Sequence, residues 1–246
     1  MKSLLLALAV GVIAPGAHAA APQINVGAIY DYLDGDKSTY LKRIYNGGDS
    51  TAFVKVTLLE MHYKPDGTHE ETPVVAVGNA GDREGLIASP ARLIIPAQGM
   101  QSTRLVFRGN RDQERYYRVR FVPVIPSKDD AFALDETERQ AYEKSISAGV
   151  QVLTGYGTAF FIRPAATLFD TRQEDSAGEY RLTNAGNSTV VLDDFKNCSA
   201  ANTHECEPGR KYHIRPGQSY RLEKVQGRVH RFELVEGAAK KSIEIE

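Results

Sequence analysis

The chain has 246 residues, with 30 basic and 31 acidic side chains and a formal net charge of −1 at pH 7. A balance this close leaves no global field to attract nucleic acid or an anionic membrane, so any electrostatic site must be local. About 225 residues follow the N-terminal leader described next, enough for one large or two ordinary domains.

Lys2 precedes an uncharged apolar run from Leu4 to Ile13; Pro15 and Gly16 break it, and Ala17-His18-Ala19 presents small residues at the two positions a signal peptidase reads. This pattern predicts a secretory signal peptide over residues 1–19, cut near Ala19. The competing expectation is a membrane anchor, but a spanning helix needs about 20 apolar residues and this run is shorter.

Residues 22–125 alternate short β-rich runs with turn chemistry. Asp34-Gly35-Asp36, Asn46-Gly47-Gly48, Lys64-Pro65-Asp66-Gly67 and Ala97-Gln98-Gly99 separate runs such as Ala52–Leu59, Arg104–Phe107 and Tyr116–Val124. Such turn residues accept dihedrals that β-branched residues resist. Phe53-Val54-Lys55-Val56-Thr57-Leu58 and Arg118-Val119-Arg120-Phe121-Val122 alternate with period two, the mark of one buried and one wet face. Many short strands at this spacing predict a sandwich. Residues 126–147 are rich in charge, and a long surface loop is expected there, with a turn or two of helix around Leu134–Tyr142 as the alternative. From Gly149 the chain returns to β character as far as Pro164, a plausible hinge. A second, smaller β domain follows, with strands at Glu179–Thr183, Thr189–Phe195, Tyr212–Ile214, Tyr220–Val225, Val229–Val235 and Lys241–Ile245.

Cys198 and Cys206 are the two cysteines. In an exported chain, a pair this close reads as a disulfide closing a short loop. His204 between them gives a metal reading little support, since a closed zinc site takes four ligands. No phosphate loop, nucleophile elbow or zinc helix is visible, so no enzyme activity, small-molecule substrate, cofactor or metal is expected.

The stretch from Val150 to Ile162 is distinctive. Val150, Val152, Thr154 and Tyr156 alternate with Gln151, Leu153, Gly155 and Gly157. Glycines weaken a regular strand and suit a place where another backbone comes close. An ordinary core strand with a bulge would show the same pattern.

Several segments together resemble the PapD-like family of periplasmic pilus chaperones, and its divergent common-pilus branch most closely. They are Ala88-Ser89-Pro90, Leu93-Ile94-Ile95-Pro96-Ala97-Gln98-Gly99 with Arg104-Leu105, Glu114 to Val119 with Val124-Ile125-Pro126, Arg163-Pro164, Leu182 to Asn187, and the cysteine pair followed by a Pro-Gly turn. The resemblance covers nearly the whole chain after the leader. It implies an all-β fold of two immunoglobulin-like β-sandwich domains in a boomerang arrangement. The first would span 20–164, including the long loop 126–147 and a donor strand 149–162; the second would span 165–246. It implies a periplasmic chaperone that stabilises pilin subunits by donor-strand complementation and passes them to an outer-membrane usher. Whether free copies cap each other as a homodimer stays open. Counted back from Arg163-Pro164, the family's donor residues fall on Val150, Val152 and Thr154, with Tyr156 next in the alternation. Better-known members hold the subunit's C-terminal carboxylate with an Arg and a Lys. The same count puts Tyr30 and Ala159 at those places, and neither can pair with a carboxylate. The candidate replacement anchors are Lys42, Arg43, Arg118 and Arg163. The competing expectation is a secreted β-sandwich pilus subunit or binding module.

Overall fold

The computed structural model of the protein describes residues 21–74, 84–146 and 152–246. The predicted leader and Val150 lie outside them. Ten strands build a first sandwich: Ile24–Asn25 (β1), Tyr30–Leu33 (β2), Thr39–Asn46 (β3), Ala52–Tyr63 (β4), His69–Pro73 (β5), Gly85–Ser89 (β6), Arg92–Ile95 (β7), Met100–Arg108 (β8), Arg115–Pro123 (β9) and Tyr156–Ile162 (β10). Seven build a second: Thr171–Asp175 (β11), Glu179–Asn184 (β12), Val190–Ser199 (β13), Arg210–Ile214 (β14), Ser219–Glu223 (β15), Arg228–Glu236 (β16) and Ala239–Ile245 (β17). In the first, a sheet ordered β1-β3-β8-β6 packs on one ordered β2-β10-β9-β4-β5, with β7 also paired to β4. In the second, β11-β12-β15 packs on β14-β13-β16-β17. The all-β, two-sandwich expectation holds.

Period-two patterning places the cores. Val54, Val56, Val119, Phe121 and Phe160 meet in the first sandwich, and Leu182, Leu192, Phe195, Phe232 and Leu234 in the second. The Cys198–Cys206 disulfide forms and joins the C-terminal end of β13 to the loop before β14.

One turn device occurs in both domains. Asn46 and Asn184 end β3 and β12 and are fully buried. The Asn46 amide donates to the carbonyls of Ser50, Ile95 and Pro96, and its Oδ1 accepts from the Gly48 N–H. The Asn184 amide donates to Ser188 and Ile214, and its Oδ1 accepts from the Gly186 N–H. Both glycines lie against passing backbone: an added Cβ would come within 2.4 Å of the Ala21 carbonyl at Gly48 and of the Leu168 carbonyl at Gly186.

Where the sequence favoured a loop, the chain forms a helix, Glu136–Ile146 (α1). Asp135 starts it with reciprocal hydrogen bonds: its Oδ1 accepts from the Glu138 N–H, and Glu138 Oε2 accepts from the Asp135 N–H. This is a capping box. The segment is also tied down. Phe132 and Tyr142 pack edge-on against Phe53, Tyr142 donates to the Thr51 carbonyl, and Asp130 pairs with Lys55.

Removing either asparagine strands buried backbone carbonyls, at roughly 1–3 kcal/mol per unsatisfied group. Asn46→Ala and Asn184→Ala should each lower the urea midpoint with little change in slope. An unchanged midpoint would contradict the role given to these turns.

Candidate functional site

β10 lies between β9, antiparallel, and β2, parallel. β9 flanks it along its whole length, from Tyr156 opposite Phe121 to Ile162 opposite Arg115. β2 is shorter, and its pairing begins only at Ala159 opposite Tyr30. Tyr156–Thr158 therefore keeps a free edge on the β2 side, with no strand paired to it among the described residues. Before Tyr156 the chain continues without strand pairing. Val152 is 76 % exposed there. Thr154 is exposed and Tyr156 half-buried. The expected strand over 149–162 thus appears, in its described part, as a strand only from Tyr156. Gly155 lies against the β9 backbone, where a Cβ would sit 3.2 Å from the Phe121 carbonyl, and at Gly157 a Cβ would meet Arg118 Cδ at 3.1 Å.

The outer face of this sheet is polar around Arg118. Ala159 and Gly157 are Cα partners of Arg118 and Arg120. Both arginines reach one carboxylate on the edge strand β5: Arg118 Nε donates to Glu71 Oε1 at 2.9 Å and Arg120 Nη2 to Oε2 at 2.7 Å. His69 Nε2 lies 3.5 Å from the same Oε1. Burial alone would raise the Glu71 carboxyl, but the hydrogen bond and charge of Arg118, helped by Arg120, hold it below its ordinary value. Glu70 and Glu71 stand within β5, just after the Lys64-Pro65-Asp66-Gly67 turn. Arg120 was legible from the alternation with Arg118. Glu71 was not, because its partners come from two strands away.

Beyond Ala159 the same face meets the second domain. Tyr30, Tyr32 and Phe161 stack around His213, and Arg215 lies 3.6 Å over the Tyr63 ring. The buried Glu114 carboxylate accepts from Ser188 Oγ at 2.8 Å, from the Thr189 N–H at 2.9 Å and from Thr189 Oγ1. Among the described residues no cluster of His, Cys, Asp or Glu is arranged to hold a metal ion.

Comparison with known proteins matches this arrangement. "Probable fimbrial chaperone EcpB" of Escherichia coli O157:H7 is 28 % identical over 224 residues, covering 90 % of this chain and 88 % of its own. The protein of that name from Escherichia coli O1:K1 is 28 % identical over 207 residues, 83 % of each chain. The chain is a homologue of the PapD-like fimbrial chaperones. Solved structures agree at the level of fold: the class 5 fimbriae chaperone CfaA aligns with a TM-score of 0.54 and 18 % identity over 91 % of this chain and 99 % of its own. The Escherichia coli chaperone DraB aligns with a TM-score of 0.53 and 14 % identity over 92 % and 97 %. No family model matches the chain. The fimbrial chaperones are a non-enzymatic, periplasmic family.

The four candidate anchors of this fimbrial-chaperone homologue occupy different settings. Lys42 is buried, donating to Asp31 Oδ2 at 2.6 Å and to the Ala28 carbonyl. Arg43 is exposed on β3, in the opposite sheet. Arg163 is buried between the Tyr32 and Phe169 rings, with Nε 3.6 Å from Asp34. Arg118 alone of the four is a direct strand neighbour of Ala159.

His213 makes the domain contact pH-sensitive. Burial pushes its pKa down from 6.5 to about 4, with Lys211 adding to the effect and Asp193 opposing it. A folded-state value below the unfolded one means that the unfolded chain binds the extra proton first. The stabilisation is complete above about pH 6.5 and is lost as pH falls toward 4. Urea unfolding across this window should show stability falling with pH, and His213→Phe should flatten the slope. Equal slopes would refute the assignment.

Proposed function

We propose that this protein is a pilus-assembly chaperone that stabilises a pilin subunit by lending it the strand running from Val150 into β10. The observation that carries this reading is the free β2-side edge of Tyr156–Thr158, continued by the exposed Val152. A subunit lacking a strand exposes unpaired backbone and an apolar groove, both aggregation hazards. A strand added at the free edge supplies the ladder hydrogen bonds. In the sequence Val150, Val152, Thr154 and Tyr156 recur at every second position, the spacing that groove-filling side chains on an extended strand need. Each valine buried would contribute roughly 1.5–3 kcal/mol before ordering costs. The same edge allows two free copies to cap each other until a subunit arrives. The leader, cleaved near Ala19, delivers the chain to the periplasm, where it hands subunits to an outer-membrane usher.

The subunit's terminal carboxylate is held, in this reading, by Arg118 together with Arg120. The resemblance leaves Tyr30 and Ala159 uncharged at the usual positions. Arg118 is one strand over from Ala159 on the same sheet, so the positive charge is displaced by a strand rather than lost.

Replacing Val150 and Val152 together with Asp puts two charges into the subunit's groove. Co-expressed pilin should then be degraded or aggregate, while the variant itself stays folded by circular dichroism. Undiminished soluble pilin would refute the strand-lending reading.

A further inference from the structure

Glu71 has no part in strand lending, yet it holds both arginines that the anchor needs. Its carboxylate is split between them, one oxygen to each. Among the described residues neither Arg118 nor Arg120 has another hydrogen-bond or ion-pair partner. The pair stands on the face of β10: Arg118 Nε lies 4.0 Å from the Cβ position of Gly157. A Cβ at 157 would press on Arg118 Cδ at 3.1 Å, so the glycine leaves the arginine room over β10. Glu71 sits on β5, an edge strand paired only with β4 among the described residues. Its side chain can therefore swing away without moving a central strand. The group is partly open to water, at 20 % side-chain exposure for Glu71, 27 % for Arg118 and 48 % for Arg120.

We propose that Glu71 is an internal place-holder carboxylate: it occupies the Arg118–Arg120 fork in the free protein and is displaced by the terminal carboxylate of a bound chain. This rests on the reading that Arg118 and Arg120 form the anchor. Two like charges two residues apart on one strand face repel each other, and a carboxylate between them relieves the repulsion and keeps the fork set. Exchange then swaps one charge-assisted pair for another, so the anchor adds selectivity for a chain end while adding little net affinity. Other anions must compete with a tethered carboxylate. The arrangement lets a bound subunit be released again, because Glu71 can reclaim the fork.

The test uses the full chain and a defined probe, the peptide acetyl-Thr-Val-Thr-Val-Thr-Val-Thr-Val, made with a free C-terminal carboxylate and with a C-terminal amide. Binding is measured by calorimetry, and the arginine Nε–Hε resonances are followed by NMR. Wild type should prefer the acid modestly. Glu71→Gln, which keeps the shape and removes the charge, should bind the acid about tenfold tighter, the equivalent of one exchanged ion pair at a partly exposed site, with amide binding unchanged. Arg120→Ala, at an exposed position that folding does not depend on, should reduce the acid preference in either background. An acid preference in wild type that Glu71→Gln leaves unchanged or weakens would overturn the place-holder while sparing the anchor. No acid preference in either protein would overturn both, and would leave strand lending to be judged by the valine substitutions.

Discussion

The structure depends on β10 being buried on both faces. Phe160 and Ile162 complete the core of the first sandwich, while Ala159 and Phe161 on the opposite face are also buried, toward the second domain. A strand held from both sides and paired on both edges over Ala159–Ile162 is a fixed base. The segment before it can project from that base with its own edge unpaired. An unpaired edge is ordinarily a liability that proteins cover or charge. Here it is left open where β2 stops short.

The domain contact buries three polar groups, and each is accommodated in a different way. Glu114 is a carboxylate taken out of water, and it is kept there by donors from Ser188 and Thr189. A buried charge without such donors would be strongly unfavourable. His213 instead stays neutral among three aromatic rings, with its buried Nε2 unpartnered among the described residues. Arg163 places its flat guanidinium between Tyr32 and Phe169, where the ring faces attract the charge while its buried Nε and Nη1 have no hydrogen-bond partner among the described residues.

The sheet face beside β10 shows how charge can be kept when its usual positions are lost. Tyr30 and Ala159 pair directly across β2 and β10, so uncharged side chains there leave a two-residue gap. Arg118 and Arg120 stand beside it on β9, and Gly157 makes room for the first of them. Glu71 balances the cluster from the far edge of the sheet.

Local pattern was enough for much of this. Alternation in β4 and β9 announced a sandwich, Asn-Gly turns marked the strand ends, and two nearby cysteines in an exported chain announced their bond, because each of these is decided within a few residues. The alternation of Val152 and Tyr156 was legible as a strand pattern, of which the structure forms the strand only from Tyr156. The capping box at Asp135 and Glu138 was present in the sequence but outweighed by the surrounding charge, so α1 was read as loop. The Asn46 and Asn184 turns, the same device used twice, were visible as turns but not as equivalents, since their likeness lies in which distant carbonyls the amide reaches. What only the tertiary structure decided was where β2 ends against β10, that Lys42 is bound internally to Asp31, that Glu114 and His213 look across to the other domain, and that Glu71 reaches Arg118 and Arg120. Those facts depend on strand order and register, through which residues far apart in the chain become neighbours, and no local pattern encodes that choice.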